Sequence, residues 1–350
     1  MYTHNTIYRS DIERIFDASF SEFTGKTFLI TGASGLVGSC VVDVLMYLND
    51  KYNYNIMVFA VFSNRCSMES RFPSYRNRND FTAIIHDITL PFDYDIAADF
   101  IIHAASNTHP HLYASAPVET IKLNVLGTLN VMAMSRKRPY SKILFLSTLE
   151  VYGEKDIDHF SEPDIGFIDF TAVRSCYPES KRICETLCRS FAEEYASDVV
   201  IARLGYVYGP TVKTDSTKAD VQFLNAALRG APIIMKSRGL QCRSYIYVFD
   251  VVSAVLTLLL KGVSGEAYNI AAESGNRLLK DFATVISQLS CTTIKFEAPT
   301  EKEKQGYSTV TNSVLNSTKL LSLGWKPQFS FEEGIRHTYE IKLALKKSEG

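Results

Sequence analysis

The sequence predicts an α/β fold in which a doubly wound parallel sheet is joined to a smaller C-terminal α/β domain. Two observations indicate this class. Short, continuously apolar strand patterns alternate with helical patterns as far as Pro210, which is typical of a parallel sheet covered on both faces by helices. A turn with three glycines also follows the first of these strands directly, as it does in sheets that bind a nucleotide.

The predicted elements follow one another in order from residue 25. The first strand is Thr27–Thr31, and a helix over Val37–Leu48 follows it. A long helix is predicted at Tyr177–Tyr195. The regular alternation of strands and helices ends at Pro210. The sequence beyond it predicts a helix at 221–229, short strands and a charged final helix. The other strands of the buried type are predicted at 56–62, 81–86, 100–103, 143–146 and 199–204, and the late short strands near Ile233 and at Tyr245–Tyr247.

The composition excludes several classes of protein. The 350 residues carry a formal net charge of −1 and are 46% hydrophobic, unlike disordered segments or basic nucleic-acid-binding proteins. The longest apolar run, 251–260, is shorter than the roughly 20 residues that span a bilayer. Seven scattered cysteines and an N-terminus without a signal-peptide pattern predict a cytoplasmic protein with no membrane or nucleic-acid partner.

The glycine turn predicts a dinucleotide site of the Rossmann-like type. In such a turn the first glycine makes a tight bend, the second admits the pyrophosphate, and the third lets the helix pack closely. The N-terminus of the helix then faces the phosphates with its N–H groups and the positive end of its dipole. The cofactor-binding residues predicted here are Gly32, Ser34, Gly35, Leu36, Val37 and Gly38.

The choice between NAD and NADP is open from the sequence. An acid that binds the ribose normally follows the second strand, but Ser63, Asn64 and Arg65 stand at this place. Arg65 would meet the 2′-phosphate of NADP, or it is an ordinary surface residue. The remaining predicted cofactor contacts lie at the next two strand ends, with Asp87 and Ile88 near the adenine and His103, Ala104 and Ala105 in the cofactor wall.

These patterns predict the domain organisation. Residues 25–210 form the dinucleotide-binding domain, to which 240–272 return, and residues 211–239 and 273–350 form a substrate-binding domain. The second domain completes a cleft beside the strand ends, where doubly wound sheets bind ligands. Residues 1–24 are predicted to be an appendage that contains one short helix.

A tyrosine and a lysine spaced four residues apart are the candidate catalytic pair. Tyr177 and Lys181 lie one turn apart on the same face of the long predicted helix. A tyrosine with its usual pKa of about 10 is a poor base at neutral pH, and a nearby ammonium is expected to lower that pKa. The pair follows the strand that leads into Ser147–Gly153, whose end faces the predicted cofactor.

Together these motifs resemble the extended short-chain dehydrogenase/reductase family of nucleotide-sugar epimerases, dehydratases and decarboxylases. The resemblance spans roughly residues 25–345 and implies tightly bound NAD or NADP and a nucleotide-sugar substrate. It also implies a homodimer formed through the helices near Asn124 and Tyr177. The motifs that carry it are TGASGLVG, DI, HAAS, KLNVLGT, STLEVYG, YPESK, RLGYVYGP and LGWKP.

The family's catalytic roles carry over to matching residues. The resemblance implies that Thr148 hydrogen-bonds the sugar 4-oxygen, that Tyr177 takes its proton, and that Lys181 holds the nicotinamide ribose. Hydride transfer from C4 to the cofactor then gives a 4-keto sugar. Asn124 resembles the family's supporting asparagine, and a helix cap or loop contact is its alternative role. The resemblance also implies that Asn124, Tyr177 and Lys181 contact the cofactor.

The choice of reaction depends on Leu149 and Glu150. The sequence Thr-x-Glu-Val-Tyr-Gly resembles 4,6-dehydratases and UDP-glucuronate decarboxylases, in which Glu150 would accept the C5 proton or orient the sugar. Many dehydratases place an aspartate where this chain has Leu149, because the leaving hydroxyl needs an acid. Loss of carbon dioxide needs none. The sequence therefore favours a UDP-glucuronate decarboxylase-like reaction, with 4,6-dehydration or 4-epimerisation of a nucleoside-diphosphate hexose as alternatives.

The predicted substrate contacts only partly follow the decarboxylases. Arg243 stands where an arginine meets the substrate in those enzymes, and Lys304 stands near the place of a second arginine. Thr148 and Glu150 complete the predicted substrate contacts. Tyr206 and Thr211 replace an asparagine and an arginine that the resemblance leads us to expect. We therefore expect the substrate contacts to differ.

Two further alternatives belong to other functional classes. A carbonyl reductase that uses free NADPH is consistent with Arg65, and a non-catalytic nucleotide-binding protein could keep the same fold. The presence of Thr148, Tyr177 and Lys181 disfavours the second alternative. No metal site is predicted, because the nearby histidines His109 and His111 lack acidic or cysteine partners at ligand spacing.

Overall fold

The computed structural model describes residues 2–137, 141–300 and 311–349 of the chain. Within these ranges, the strands are β1 Thr27–Thr31, β2 Met57–Phe62, β3 Phe81–Ile85, β4 Phe100–His103, β5 Lys142–Thr148, β6 Asp198–Leu204, β7 Tyr206–Tyr208, β8 Ile233–Met235, β9 Cys242–Tyr247, β10 Ala267–Ile270, β11 Asn276–Leu278, β12 Ile294–Phe296 and β13 Asn312–Ser313. The helices are α1 Thr6–Arg14, α2 Leu36–Tyr52, α3 Arg65–Arg71, α4 Pro110–Ser115, α5 Pro117–Ser135, α6 Cys176–Tyr195, α7 Ala219–Leu228, α8 Val248–Lys261, α9 Leu279–Ser290, α10 Thr318–Leu321 and α11 Phe331–Glu349.

A parallel sheet of seven strands lies at the centre, in the order β10-β6-β5-β4-β1-β2-β3. The chain builds outward from β1 to β3 and then crosses back to β4, so the direction of winding reverses between β1 and β4. Thr31 and His103 pair across this reversal at the carboxyl ends of the two strands. Ligands bind at such a point in doubly wound sheets. The predicted α/β class is confirmed.

The buried strand patterns explain why the sheet is covered on both faces. Phe28, Leu29 and Ile30 are consecutive in β1, point to alternate faces and are all fully buried. Helix α2 runs four residues beyond its predicted end, and Asn49 in its last turn accepts from the Ile56 N–H, just before β2, at 2.7 Å. Asn53 then ends the helix in the left-handed conformation.

The later strands divide between the central sheet and two smaller sheets. Strand β9 pairs with β7, β11 and β13, and β8 pairs with β12. The predicted return of 240–272 to the first domain is therefore only partly correct, because α8 and β10 join the central layers whereas β9 joins a smaller sheet. No helix in the described ranges is long and apolar enough to cross a bilayer.

The first residues are part of the core rather than an appendage, and this corrects the prediction for residues 1–24. Ile12 and Phe20 are buried in the main apolar cluster. The Tyr8 hydroxyl donates to Asp43 Oδ2 of α2 at 2.6 Å, and the Tyr247 hydroxyl donates to Asp11 Oδ2 at 2.8 Å. The sequence analysis missed this because the segment precedes the first strand and its apolar residues are widely spaced.

The N-terminal segment should therefore contribute to stability. We expect Phe20→Ala to lower the free energy of unfolding by about 3–5 kcal/mol, because it removes a fully buried aromatic side chain. Urea denaturation followed by circular dichroism measures this. Phe296→Ala, which truncates an exposed ring, should change stability by less than about 0.5 kcal/mol. Equal, small effects of the two changes would contradict the packing described here.

Candidate active site

The glycine turn between β1 and α2 brings two backbone segments into close contact. Gly32 has a φ of 66°, and a Cβ at this position would lie 2.7 Å from backbone atoms of Ala104. A Cβ on Gly38 would lie 2.5 Å from the Gly32 carbonyl oxygen. Both positions therefore require glycine. Larger residues do not fit because α2 and the segment after β4 both lie against this turn.

The N-terminus of α2 opens onto this turn. Gly35 caps the helix without a side-chain hydrogen bond, so the side chain of the cap satisfies none of the first N–H groups. The helix has 17 residues, and its dipole adds positive potential at this end. Ser34 and Leu36 are half-buried, and Val37 is buried. This cradle fits the pyrophosphate of a dinucleotide.

The residues after β2 and β3 lie at the outer end of the same edge. Ser63, Asn64 and Arg65 are exposed, and Asn64 Oδ1 accepts from the Ser67 N–H at 2.9 Å as the cap of α3. Asp87 is also exposed, and its Oδ1 accepts from the N–H of Thr89 at 2.9 Å. Ile88 is buried. The structure therefore leaves Arg65 and Asp87 accessible at the places predicted for cofactor contacts.

The His103 ring braces the sheet behind the predicted cofactor wall. Its Nδ1 lies 2.7 Å from Thr31 Oγ1, and its Nε2 lies 3.2 Å from Thr128 Oγ1. Burial lowers the pKa of His103 to about 3, so the ring is neutral. The ring of His103 is buried, and the adjacent Ala104 and Ala105 are partly exposed. The contact of His103 with a cofactor stays a prediction.

Lys181 is anchored to the end of β5. Its Nζ donates to the Leu146 carbonyl oxygen at 2.9 Å and lies 4.6 Å from the centre of the Phe145 ring. Tyr177 lies one turn earlier in α6, and both side chains are buried. Burial lowers the pKa of Lys181 to about 8. The helix face predicted from the spacing is therefore turned toward the strand end.

Burial, rather than the lysine, dominates the acidity of Tyr177. Desolvation raises its pKa above the usual value of about 10, and the negative charge of Glu150 acts in the same direction. Hydrogen bonding with Thr148 and the charge of Arg174 act in the opposite direction. The expectation that Lys181 lowers the pKa of Tyr177 is wrong for this structure, because burial outweighs the favourable interactions.

The turn after β5 carries Thr148 and Glu150 to the catalytic helix. Thr148 caps the short 3₁₀ helix Leu149–Tyr152, and its Oγ1 accepts from the Glu150 N–H at 3.3 Å. The Glu150 carboxylate accepts from Arg174 at 2.9 and 3.2 Å. A bidentate pair of this kind fixes both the charge and the orientation of the carboxylate.

Tyr113 is a site residue that the sequence analysis missed. Its ring in α4 stacks on Tyr177, with centres 4.7 Å apart and planes 14° apart. The Cys176 thiol donates to the Tyr113 carbonyl oxygen at 3.7 Å. Tyr113 therefore covers the candidate base. No spacing rule relates the two tyrosines, since 64 positions separate them and only the tertiary fold brings them together.

Asn124 links α5 to the catalytic helix. Its Nδ2 donates to Ser180 Oγ at 2.8 Å, and its Oδ1 accepts from Ser106 Oγ at 2.8 Å. Ser180 directly precedes Lys181. Asn124 is buried and both ends of its amide bind protein groups, so it helps to position α6. Its contact with a cofactor stays a prediction.

Two cations surround Tyr206 on the substrate side of the site. Arg243 Cζ lies 5.2 Å and Lys218 Nζ lies 5.3 Å from the centre of the Tyr206 ring. The Tyr206 hydroxyl donates to the buried Asp220 at 3.1 Å. The charge of Glu150 acts on Lys218, so this cluster adjoins the catalytic turn. No motif marked Lys218 or Asp220, and the predicted Lys304 lies outside the described residues.

The glycine turn yields a test of the cofactor site. Gly32→Ala should weaken NAD binding at least tenfold, because a Cβ would meet the Ala104 backbone at 2.7 Å. Gly25→Ala is the matched control, because Gly25 also has a positive φ, of 71°, but has open space around its Cβ position. Isothermal titration calorimetry measures both affinities. Equal affinities of the two variants would contradict the predicted placement of the cofactor.

Comparison with known proteins shows that the chain matches a defined family. The model of the NAD dependent epimerase/dehydratase family matches residues 28–271. UDP-glucuronic acid decarboxylase 1 of Xenopus tropicalis is 31% identical over 336 residues, which cover 94% of this chain and 76% of that protein. UDP-glucuronic acid decarboxylase 5 of Arabidopsis thaliana is 31% identical over 326 residues, which cover 91% of each.

Solved structures share the fold over nearly the whole chain. An epimerase of Methanothermobacter thermautotrophicus has a TM-score of 0.82 at 20% identity, with 97% of each chain covered. UDP-glucose 4-epimerase of Thermotoga maritima has a TM-score of 0.76 at 25% identity, with 93% of this chain and 100% of that chain covered. The family match, the relatives and the fold agree, and the protein belongs to the NAD dependent epimerase/dehydratase family.

Proposed function

We propose that this protein decarboxylates a nucleotide-linked uronic acid of the UDP-glucuronate type through a 4-keto sugar. The observation that carries the proposal is the grouping of Thr148, Glu150 and Tyr177 at the end of β5, with the apolar Leu149 in the same turn. The UDP-glucuronic acid decarboxylases that are about 31% identical over most of the chain support it.

In the first step, protein side chains would bind the C4 hydroxyl and remove its proton. Bound NAD or NADP would supply a reversible acceptor for the hydride on C4. Thr148 Oγ1 hydrogen-bonds the 4-oxygen, and Tyr177 receives its proton. Lys181 holds the nicotinamide ribose. Tyr177 would take this proton as the phenolate. Because burial raises the pKa of Tyr177, the phenolate would be a strong base, and the phenol that it forms would keep the proton until the 4-oxygen takes it back.

Loss of carbon dioxide would follow from the ketone at C4. The bond between C5 and C6 breaks, its electron pair moves toward the C4 carbonyl, and carbon dioxide leaves as a neutral molecule. Tyr177 would stabilise the resulting oxyanion by donating a hydrogen bond, and C5 would then take up a proton from water. Glu150, held by Arg174, orients the sugar ring during these steps.

Leu149 separates this reaction from dehydration. Departure of a C6 hydroxyl benefits from a general acid. Leu149 is buried in an apolar cluster with Val151, Tyr152 and Phe160, and it has no proton to donate. Decarboxylation needs no acid at this place.

The substrate's negative charges would meet the cations around Tyr206. Lys218 and Arg243 both lie within 5.3 Å of that ring, and Arg243 is the residue predicted to meet substrate. A nucleoside diphosphate carries the charge that such a pair attracts. Tyr206 fills the place expected for an asparagine, so the sugar contacts would differ from those of the decarboxylases.

A second candidate is 4,6-dehydration or 4-epimerisation of a nucleoside-diphosphate hexose. The observation in its favour is the Glu150 carboxylate, which could accept the C5 proton once C4 is a ketone. Proteins named as dTDP-glucose 4,6-dehydratase and UDP-glucose 4-epimerase share the fold, with a TM-score of 0.76. Their identities of 21% and 25% leave the reaction of this chain open to experiment.

The proposed cofactor is tightly bound NAD, with NADP as its alternative. The description of the family favours NAD. The exposed Arg65 at the start of α3 and the lack of an acid after β2 would suit the 2′-phosphate of NADP.

Mass spectrometry tests the reaction directly. Incubation with UDP-glucuronate should give a product lighter by one carbon dioxide, and Tyr177→Phe should lower its rate by about 10²–10⁴-fold because proton transfer is lost. Tyr195→Phe, at the exposed end of the same helix, is the matched control and should keep wild-type activity. Loss of water from UDP-, dTDP-, GDP- or CDP-hexoses, or an isomer of unchanged mass, would instead support the second candidate.

The apolar surface of α5 and α6 supports a homodimer. The two helices pack side by side, and Asn124 and Ser180 join them at their centre. Val118, Ile121 and Leu129 lie three, eight and eleven positions apart and therefore share a face of α5. Large apolar side chains are exposed on the outer side of the pair at Val118, Ile121, Leu126, Leu129 and Ile183.

Charged substitutions on this surface should separate the dimer. The double variant Ile121→Asp and Leu129→Asp should elute as a monomer in size-exclusion chromatography with light scattering, because buried unpaired charges oppose association. Val263→Asp, at an exposed apolar position outside α5 and α6, should leave the dimer intact. A monomeric wild-type protein, or a double variant that stays dimeric, would contradict this assignment.

We also propose a reducing, cytoplasmic location. The supporting observation is that all seven cysteines, each within the described residues, are unpaired. Disulfides are rare in reducing compartments. Fractionation of the source cells, followed by detection of the protein, tests this.

A further inference from the structure

We propose that Glu185 and Arg203 form a buried positioning pair for the catalytic residues Thr148, Glu150 and Lys181. Arg203 Nε donates to both Glu185 oxygens at 3.0 and 3.1 Å, and Arg203 Nη2 donates to Glu185 Oε2 at 2.6 Å. The inference rests on the proposed function for the roles of the three residues that the pair would position. Arg203 is the first residue of the RLGYVYGP motif, but no role was predicted from the sequence for Arg203 or for Glu185.

The pair fixes the start of the catalytic turn through Ser147. The Ser147 hydroxyl donates to Glu185 Oε1 at 2.5 Å, and both groups are buried. Ser147 is the residue before Thr148, and it lies opposite Arg203 in the pairing of β5 with β6. The carboxylate therefore bridges two neighbouring strands at the point where β5 ends.

The pair also fixes the end of the same turn through Tyr152. Arg203 Nη1 donates to the Tyr152 hydroxyl at 3.0 Å, and this hydroxyl donates to Asn269 Oδ1 in β10 at 2.6 Å. Arg203 Nη1 also donates to the Glu162 carbonyl oxygen at 2.7 Å. Thr148 and Glu150 thus lie on a short segment held at both ends by one ion pair.

Three successive turns of helix α6 contact the end of β5. Tyr177, Lys181 and Glu185 are spaced by four and lie on one face. These three turns meet the last three residues of β5, because Tyr177 interacts with Thr148, Lys181 with the Leu146 carbonyl, and Glu185 with Ser147. The hydrogen bond between Glu185 and Ser147 therefore helps to fix the distance between α6 and the end of β5.

Stability alone is a weak reason for this arrangement. A buried ion pair is often no more stabilising than apolar residues of similar volume, whereas removal of one partner is costly. The pair instead provides orientation, because its hydrogen bonds with Ser147 and Tyr152 hold the two ends of the turn that carries Thr148 and Glu150. Fixing groups to within a fraction of an ångström is what catalytic geometry requires.

Glu185 also acts on Lys181 through its charge. The groups that face Lys181 are Glu185, Cys184 and Cys188 on its own helix and His103 from β4, whose ring is neutral. Burial lowers the pKa of Lys181, and the negative charge of Glu185 opposes that lowering. Removal of this charge should therefore shift the titration of Lys181 to lower pH.

Two variants test the positioning of the turn without breaking the ion pair. Ser147→Ala and Tyr152→Phe each remove one hydroxyl that joins the pair to the turn. Each should lower kcat for UDP-glucuronate by about ten- to a hundredfold, with KM and NAD affinity changed less than twofold. Glu266→Gln, which alters the ion pair with Lys319 at 2.6 Å outside the site, is the control. Wild-type kcat in both hydroxyl variants would overturn the proposal, whatever their melting temperatures.

A second measurement needs no substrate and so separates this inference from the proposed function. In protein labelled with ¹³C at the lysine ε-carbon, nuclear magnetic resonance follows the titration of Lys181, assigned with Lys181→Met. Glu185→Gln keeps an acceptor for Ser147 and should lower the titration midpoint of Lys181, whereas Ser147→Ala should leave it unchanged. An unchanged midpoint in Glu185→Gln would overturn the proposal. If wild-type protein fails to convert UDP-glucuronate, this result alone decides the inference.

Discussion

The contact between the buried face of α6 and the end of β5 is the constraint on which the candidate site depends. Strand β5 runs on to Thr148, whereas its pairing with β4 stops at Phe145, and a buried carbonyl beyond that pairing needs another hydrogen-bond donor. Lys181 supplies it to Leu146 at 2.9 Å. The same hydrogen bond places Tyr177, one turn earlier in the helix, beside Thr148. One hydrogen bond therefore both satisfies the buried Leu146 carbonyl and positions the candidate catalytic residues on α6.

The central sheet and the glycine turn could be predicted from the sequence because both depend on local chemistry. Continuously apolar strands are required where both faces are buried, and β1 and β5 meet that requirement along most of their lengths. Gly32 and Gly38 could be assigned because few other residues fit a turn where two backbones approach so closely. The spacing of Tyr177 and Lys181 likewise has a direct helical meaning.

Other parts of the site could not be predicted, because distant segments create them. Tyr113 reaches Tyr177 only through the packing of α4 against α6. Lys218 and Asp220 could be assigned to the site only from their contacts with Tyr206, which lies in another element. The predicted direction of the pKa shift of Tyr177 was wrong because the sequence shows the neighbouring lysine but not how deeply the tyrosine is buried. Similarly, the polar partners of Tyr8 and Asp11 lie far along the chain, so the sequence did not reveal how firmly the N-terminal segment is packed.

The central claim is that C4 of the sugar is oxidised and reduced again within one site. The most direct measurement uses UDP-glucuronate carrying deuterium at C4 and follows the label in the product by mass spectrometry and nuclear magnetic resonance. Our account predicts that the decarboxylated product retains the deuterium at C4, because Thr148, Tyr177 and Lys181 hold the 4-oxygen and the cofactor ribose together throughout the cycle. A product with solvent hydrogen at C4, or reduced cofactor released in an amount equal to the product, would contradict it.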